Sequence, residues 1–425
     1  MDRFTGIIGI VLILGLAYLW SNNRKAINYR TVLTGILLQI VLAVFILKVP
    51  LGQEIFYWIG KAINKILDFS KEGAAFVFGD LTKVTSILPE NMQKSGMFIF
   101  ILMPTIIFVC ILVAIAYHIG LMQRVVAVIA KFVHWLMRVS GSEALSNVAS
   151  AFVGQVEAQI MIKPYLAGMT RSELMASMTG SMACIAGGVM AIYISMGVPA
   201  SYLLAASLMA APGALVISKI IYPETEVSET KGVVKLEIKK EHSNLMDAIS
   251  NGATDGMKIS LNVVAMLIGV IALIALVDAL LGYFGNFLSW TGLSLDLIGI
   301  DVTHLTLKGI FGAIFSIFAW TMGVPFAEAQ TVGSLMGTKM VINEFVAYSD
   351  LTPMLHSGAL SAKSIIIASF ALCGFANFSS VAIQLGGIGA LAPSRRADVA
   401  KLGIKAMIAG TMASYISAAL AGILS

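Results

Sequence analysis

The chain has 425 residues, 58% of them hydrophobic and only 12% charged, with a mean hydropathy of +0.90. A soluble domain carries roughly 25% charged residues, so these charges are too few to clothe a water-soluble globule of this length. The formal net charge of +5 does not point to nucleic acid, because Lys and Arg sit in short clusters between apolar segments rather than in one basic stripe.

Residues 6–20 form the first apolar segment. Basic residues follow it rather than precede it and no small-x-small cleavage site ends it, so it reads as a membrane helix and not a signal peptide. Arg24, Lys25 and Arg30 mark the next loop as cytoplasmic and place the N-terminus outside. A second span is expected at 31–49. Residues 53–69 mix apolar side chains with Glu54, Lys61 and Lys65 at helical spacing, the pattern of an interfacial helix. A third span at 98–120 leads into an amphipathic stretch punctuated by Arg124, Lys131 and Arg138. The run 142–165 then places Gln155, Glu157, Gln159 and Lys163 around Gly154. Such groups are tolerated at membrane depth only where they face protein or a watery cavity, so a re-entrant hairpin with its tip near Gly154–Gln155 is expected. Two spans follow at 174–195 and 202–222, the first interrupted by the small-residue run 183–189. Residues 223–244 are the long polar stretch and read as a solvated cytoplasmic connector.

The order then recurs. A span at 259–281 and an amphipathic stretch at 303–320 precede a second hairpin at 328–349, with Asn343 and Glu344 at its polar centre. A span at 363–388 is interrupted by residues 374–380, and Arg395, Arg396, Lys401 and Lys405 mark the cytoplasmic turn before a last span at 404–424. An odd number of crossings separates the copies, so they are inverted. Inverted repeats whose discontinuous helices meet near the midplane are the architecture of secondary transporters. The expected fold class is an all-α polytopic membrane protein with about eight transmembrane helices, two re-entrant hairpins and interfacial helices. Its expected parts are scaffold at 1–94 and 95–141, a first transport repeat at 142–222, a linker at 223–257, scaffold at 258–323, and a second transport repeat at 324–425.

Chemistry is sought where lipid forbids polar groups. Gln155 and Glu157 lie at the first tip, Asn343 and Glu344 at the second, and Asn377, Ser379 and Ser380 in the interrupted span. A carboxylate and an amide suit the vicinal hydroxyls of a sugar, the mixed donor and acceptor of Gln155 suits a nucleobase edge, and Phe375 offers a ring face. Ser379 reads as a helix-bridging hydroxyl and Asp278 as an interfacial charge. His118, His134, His242, His304 and His356 fall at expected helix ends or loops, where solvation explains them. Cys110, Cys184 and Cys373 have neither paired spacing nor nearby histidines, so no metal or disulfide framework is expected. No nucleophile–base pair or phosphate-cradling loop stands out, which argues against an enzyme. A channel without ion coupling and a carrier of a modified nucleoside or related small molecule are the alternatives.

At these same residues the sequence resembles the concentrative nucleoside transporter family. The matching segments are Gly154-Gln155-Val156-Glu157-Ala158, Ile185-Ala186-Gly187-Gly188-Val189, Asn343-Glu344-Phe345-Val346-Ala347-Tyr348, Cys373-Gly374-Phe375-Ala376-Asn377-Phe378-Ser379-Ser380 and Ala392-Pro393-Ser394-Arg395-Arg396. The resemblance implies a homotrimer in the inner-membrane bilayer, importing nucleosides by cation symport through an elevator-type movement of a transport domain past a scaffold. It assigns the base to Gln155, Val156 and Val189, the ribose to Glu344, Asn377 and Ser380 with Phe375 alongside, and a place near the base and in coupling to Glu157. It implies no organic cofactor. The family's sodium site uses an Asn side chain, a Ser hydroxyl and backbone carbonyls, and these positions match Ser150, Cys184, Val153 and Ile185. Sodium prefers oxygen to thiol sulfur, so the coupling cation is expected to be either Na+ or H+, the proton being carried by Glu157 or Glu344. Two further departures are Val156, where a Thr is common, and Gln159, where a Pro is common.

Overall fold

The computed structural model describes residues 2–82, 98–231, 243–291, 305–355 and 357–425. His242, His304 and His356, the stretch 232–242, and the start of the amphipathic segment expected at 303 lie outside them. Regular structure among the described residues is helical throughout.

Five helices lead in: α1 (Asp2–Leu19), α2 (Tyr29–Leu47), α3 (Pro50–Phe78), α4 (Phe98–His118) and α5 (Leu121–Met137). Asn28 caps α2 by accepting hydrogen bonds from the amides of Arg30 and Thr31. Pro50 sits in the first turn of α3, where its missing N–H is no loss. The interfacial helix expected at 53–69 is therefore longer at both ends. Gly52, Phe56, Gly60, Leu67, Ser70 and Ala74 keep one buried stripe running past residue 69. Within it Ser70 Oγ meets Thr105 Oγ1 of α4 at 3.0 Å. Between α4 and α5 the chain bends by 71° at Gly120.

A first repeat follows. Its hairpin is α6 (Gly141–Ser150) with the short α7 (Glu157–Met161) and α8 (Lys163–Leu166). Its interrupted span is α9 (Arg171–Ala183) and α10 (Gly187–Ser195), and α11 (Ala200–Ile221) closes it. After α12 (Leu245–Trp290) and α13 (Leu307–Thr321), the second repeat has the same order. Hairpin α14 (Phe326–Val341) and α15 (Glu344–Leu351), interrupted span α16 (Ala362–Leu372) and α17 (Phe378–Leu391), and last span α18 (Arg396–Leu424) complete it. A bend of 119° separates α13 from α14.

Five spans are long and apolar enough to cross a bilayer among the described residues: α2, the α9–α10 pair, α11, the end of α12, and the last span. Adding the shorter α1 and α4 and the interrupted α16–α17 gives the eight or so crossings expected. Burial sorts them. The hydrophobic window of α11 is 89% buried and those of α9–α10 and the last span 78%, against 33% for α2 and 6% for Ile271–Trp290. Helices that are apolar on all sides and buried form the inner body, whereas α2 and the end of α12 turn apolar surface outward.

Two expectations about the polar stretch change. Helix α12 begins at Leu245, so residues 245–257 are helix and not linker. Its rows of polar side chains conceal Gly252 and Gly256, whose bare α-carbons press on the backbone of Ile111 and Ile107 in α4. Small residues spaced in this way let two membrane helices meet closely. The front of the stretch is docked at Ser228 and Thr230, while Thr225, Glu226, Val227 and Glu229 stay exposed. Glu173 Oε1 accepts hydrogen bonds from the hydroxyls of Ser142, Ser228 and Thr230, drawing residues 223–231 beneath the first repeat. Lys219 lies buried in the same cluster, paired with Glu143, donating to Ser172 Oγ at 2.8 Å and lying 3.5 Å from Glu224. Glu143 and Glu173 also complete capping boxes with Ser140 and Thr170. Buried carboxylates require donors, and this segment supplies them.

Candidate functional site

Two asparagines build the site. Asn343 caps α15 through its Oδ1, which accepts from the Val346 amide at 2.9 Å and so starts the second hairpin arm at Glu344. Asn377 caps α17 in the same way, its Oδ1 accepting from the Ser380 amide at 2.8 Å and from Ser379 Oγ at 2.7 Å. Each cap contributes on the order of 1 kcal/mol. With its Oδ1 occupied, Asn377 can only donate from Nδ2, and it does so to Glu344 Oε2 at 3.0 Å. Glu344 is 6% exposed and Asn377 2%. The other carboxylate oxygen, Oε1, accepts from Tyr193 Oη of α10 at 3.2 Å.

Across from this pair the first tip arrives. Gln155 Nε2 donates to Ser380 Oγ at 3.4 Å. Its Oε1 is buried and takes no hydrogen bond from the described residues. A continuous polar chain thus runs from Gln155 through Ser380 and Asn377 to Glu344 and Tyr193, joining both hairpin tips to both interrupted spans. Tyr193 was not singled out from sequence. It is fully buried and stacks on Tyr348 with ring centroids 4.4 Å apart, while Tyr348 Oη donates to the carbonyl of Ser369.

The remaining candidates form a more open rim. Val156 is half-buried with its methyls against Gly387 of α17. Val189 is half-buried on α10, four residues before Tyr193 and hence on the same helical face. Phe375 is half-buried in the break beside Asn377. Glu157 is exposed, its carboxylate folded over the bare side of Gly154. Among the described residues, no hydrogen bond or ion pair joins it to the chain of Gln155, Asn377 and Glu344.

The four candidate sodium ligands lie where the first hairpin meets the first break. Ser150 Oγ donates to the Ser146 carbonyl at 2.7 Å and meets Ser181 Oγ at 3.0 Å. The Cys184 thiol points elsewhere, to the carbonyl of Ser207 at 3.7 Å. The two side chains are therefore not aimed at one point. The carbonyls of Phe152 and Ala151 are taken, by the Gly187 amide at 3.0 Å and Ser207 Oγ at 3.1 Å. Those of Val153 and Ile185 accept no backbone hydrogen bond among the described residues. Oxygen donors of this kind, carbonyls and hydroxyls, are the ligands a hard cation prefers. Gln159 braces Ser181, donating to its Oγ and accepting from Ser177 Oγ, both at 2.8 Å.

Comparison with known proteins places the whole chain. A model described as Na+ dependent nucleoside transporter C-terminus matches residues 202–422, its N-terminal counterpart matches 8–81, and a gate model described as nucleoside recognition matches 99–200. An uncharacterized transporter of Bacillus subtilis, YutK, is 43% identical over 99% of both chains. The nucleoside permease NupC of Helicobacter pylori is 37% identical over 98% of this chain and 96% of its own. The structure of CNTnw in an inward-facing substrate-bound state superposes with a TM-score of 0.90 at 39% identity, covering 100% of this chain and 98% of that one.

Proposed function

Since the chain belongs to the Na+-dependent nucleoside transporter family, a family of carriers and not of enzymes, we propose that it imports nucleosides across the inner membrane by symport with Na+. The observation that carries this reading is the polar chain from Gln155 to Glu344, assembled at the meeting of two hairpin tips and two breaks. A ribose offers two adjacent hydroxyls, and the Glu344 carboxylate accepts both in place of, or shared with, Tyr193 Oη. Asn377 Nδ2 and Ser380 Oγ supply the complementary donor and acceptor. Hydrogen bonds to a buried charged group contribute about 1.5–3 kcal/mol each. Gln155 Oε1, which lacks a donor, accepts from the base edge, and Phe375 lies along the ring. Gln159 is engaged in packing, so base preference rests on Gln155, Val156 and Val189.

Coupling belongs to the first break. The Val153 and Ile185 carbonyls with the Ser150 hydroxyl hold Na+, and the Cys184 thiol stays on Ser207. Transport follows an elevator path. The buried body of the two repeats moves against α1–α5, α12 and α13, carrying both sites together, and the outward apolar faces of α2, α3 and α12 pack against lipid and against two further copies in a homotrimer.

Uridine binding to the purified protein by calorimetry tests the site. Wild type is expected to bind, while Glu344→Gln and Asn377→Ala each weaken binding by about 3 kcal/mol or more with folding intact. Undiminished binding in both variants would remove the ribose assignment.

A further inference from the structure

One ionisable side chain inside the transport body plays no part in the site as drawn so far. Lys339 lies on α14 just ahead of the tip at Asn343–Glu344 and is 1% exposed. Its ammonium donates to the carbonyl oxygens of Ala371 at 2.9 Å and Cys373 at 3.1 Å. Half-helix α16 ends at Leu372 with Cys373 as its cap. The last carbonyls of a helix have no donor of their own, and its negative pole gathers on them. In carriers with interrupted helices such half-helix ends and unwound carbonyls are where coupling cations are held.

The first repeat has the same end, and among the described residues no Lys or Arg side chain bonds to it. Half-helix α9 stops at Ala183 with Cys184 as its cap. Its Ala183 carbonyl is met by Ser414 Oγ at 3.5 Å, and the Ile185 carbonyl lacks a backbone partner among the described residues. The two ends are in direct contact. Gly374, at φ +106°, presses so closely on the Ala183 carbonyl that a Cβ there would overlap it. Ser414 Oγ, with one proton to donate, lies 3.0 Å from the Cys373 carbonyl and 3.5 Å from that of Ala183, between the two ends. Equivalent polar ends thus stand side by side, one closed by a lysine ammonium and the other met, among the described residues, by a hydroxyl and by no cation.

We propose that Lys339 is a built-in cation: it fills in the second repeat the place at the half-helix end that a dissociable cation fills in the first. It is a positioning residue for transport. By clamping the carbonyls that open the break, it fixes the course of the chain to Asn377 and holds a positive charge on the Glu344 side of the site. One consequence is that a single cation exchanges per cycle, because the second seat is already taken. The inference rests on the nucleoside reading for its effect on cargo, but the clamp itself does not.

The experiment removes the tethered ammonium and offers a free one. Purified wild type, Lys339→Ala, Lys339→Met and Lys339→Arg are melted in methylammonium chloride or choline chloride at equal ionic strength, and uridine binding is measured in each. Lys339→Ala is expected to melt below wild type and to be raised by methylammonium but not by choline, with wild type unmoved. Its uridine affinity is expected to fall about a hundredfold, the equivalent of losing two hydrogen bonds made by a charged group, and to recover in methylammonium. A melting temperature of Lys339→Ala that ignores methylammonium overturns the proposal. So does wild-type uridine binding by Lys339→Met, since side-chain volume alone would then suffice. If Lys339→Ala and Lys339→Met do not fold while Lys339→Arg does, the site requires the charge, as proposed. If wild type binds no uridine, the nucleoside reading fails while the methylammonium effect on melting still decides the role of Lys339.

Discussion

The two repeats follow one element order but place their polar residues at different depths. In the first, the break at Cys184–Ala186 is apolar in side chain and offers backbone carbonyls, while the charged groups Glu143, Glu173 and Lys219 gather at the base among Ser172, Ser228 and Thr230. In the second, the break at Cys373–Asn377 is where the polar groups are: Lys339, Glu344, Asn377, Ser379 and Ser380 surround it. One repeat is anchored at its foot and left open at its middle. The other is filled at its middle. On the reading proposed above, the first repeat seats a hard ion with backbone carbonyls and a hydroxyl, and the second seats a polar cargo with side chains of fixed geometry.

Substitutions can break this division. The largest expected effect is at the foot of the first repeat. Lys219→Met strands Glu143 in a buried site and should lower stability by about 3–5 kcal/mol, read as a fall in melting temperature, with the uridine affinity of the remaining folded protein unchanged. A parallel loss of affinity would mean that the foot and the cargo site are one unit. Next comes Glu344→Gln, which keeps the shape of the side chain but removes the charge from two hydrogen bonds. Uridine binding should weaken by about 3 kcal/mol or more, with a melting temperature close to wild type. Asn343→Ala follows, losing the α15 cap at about 1 kcal/mol and raising the uridine Kd a few-fold through the displaced Glu344. Smallest is Cys184→Ser. Replacing the thiol by a hydroxyl should raise Na+ affinity by about 1 kcal/mol or less, seen as a lower Na+ requirement for uptake. An unchanged Na+ dependence would show that the side chain stays turned toward Ser207, as the thiol is.

Much of this was legible in the sequence because the membrane makes polar residues conspicuous. Gln155, Asn343, Glu344 and Asn377 stand in apolar surroundings at points where no span tolerates them, and the structure joins three of the four directly in one chain with Ser380. What stayed hidden depends on partners far along the chain. Tyr193 reads as an ordinary residue of an apolar span until Glu344, 151 residues away, is brought to its hydroxyl. Lys339 sits in a run resembling any helical arm, and its meaning comes from the carbonyls of Ala371 and Cys373. The extra turns of α12 escape a hydropathy reading because Gly252 and Gly256 signal close packing only when α4 lies against them. The docking of Ser228 and Thr230 escapes it too, since a polar segment looks solvated unless a buried carboxylate awaits it.

Uptake of labelled uridine into proteoliposomes, with either a Na+ gradient or a proton gradient imposed, tests the central claim most directly. Accumulation above the outside concentration under the Na+ gradient alone is the predicted result. Accumulation under the proton gradient alone, or under neither, would contradict the assignment of the first break as a sodium seat coupled to nucleoside import.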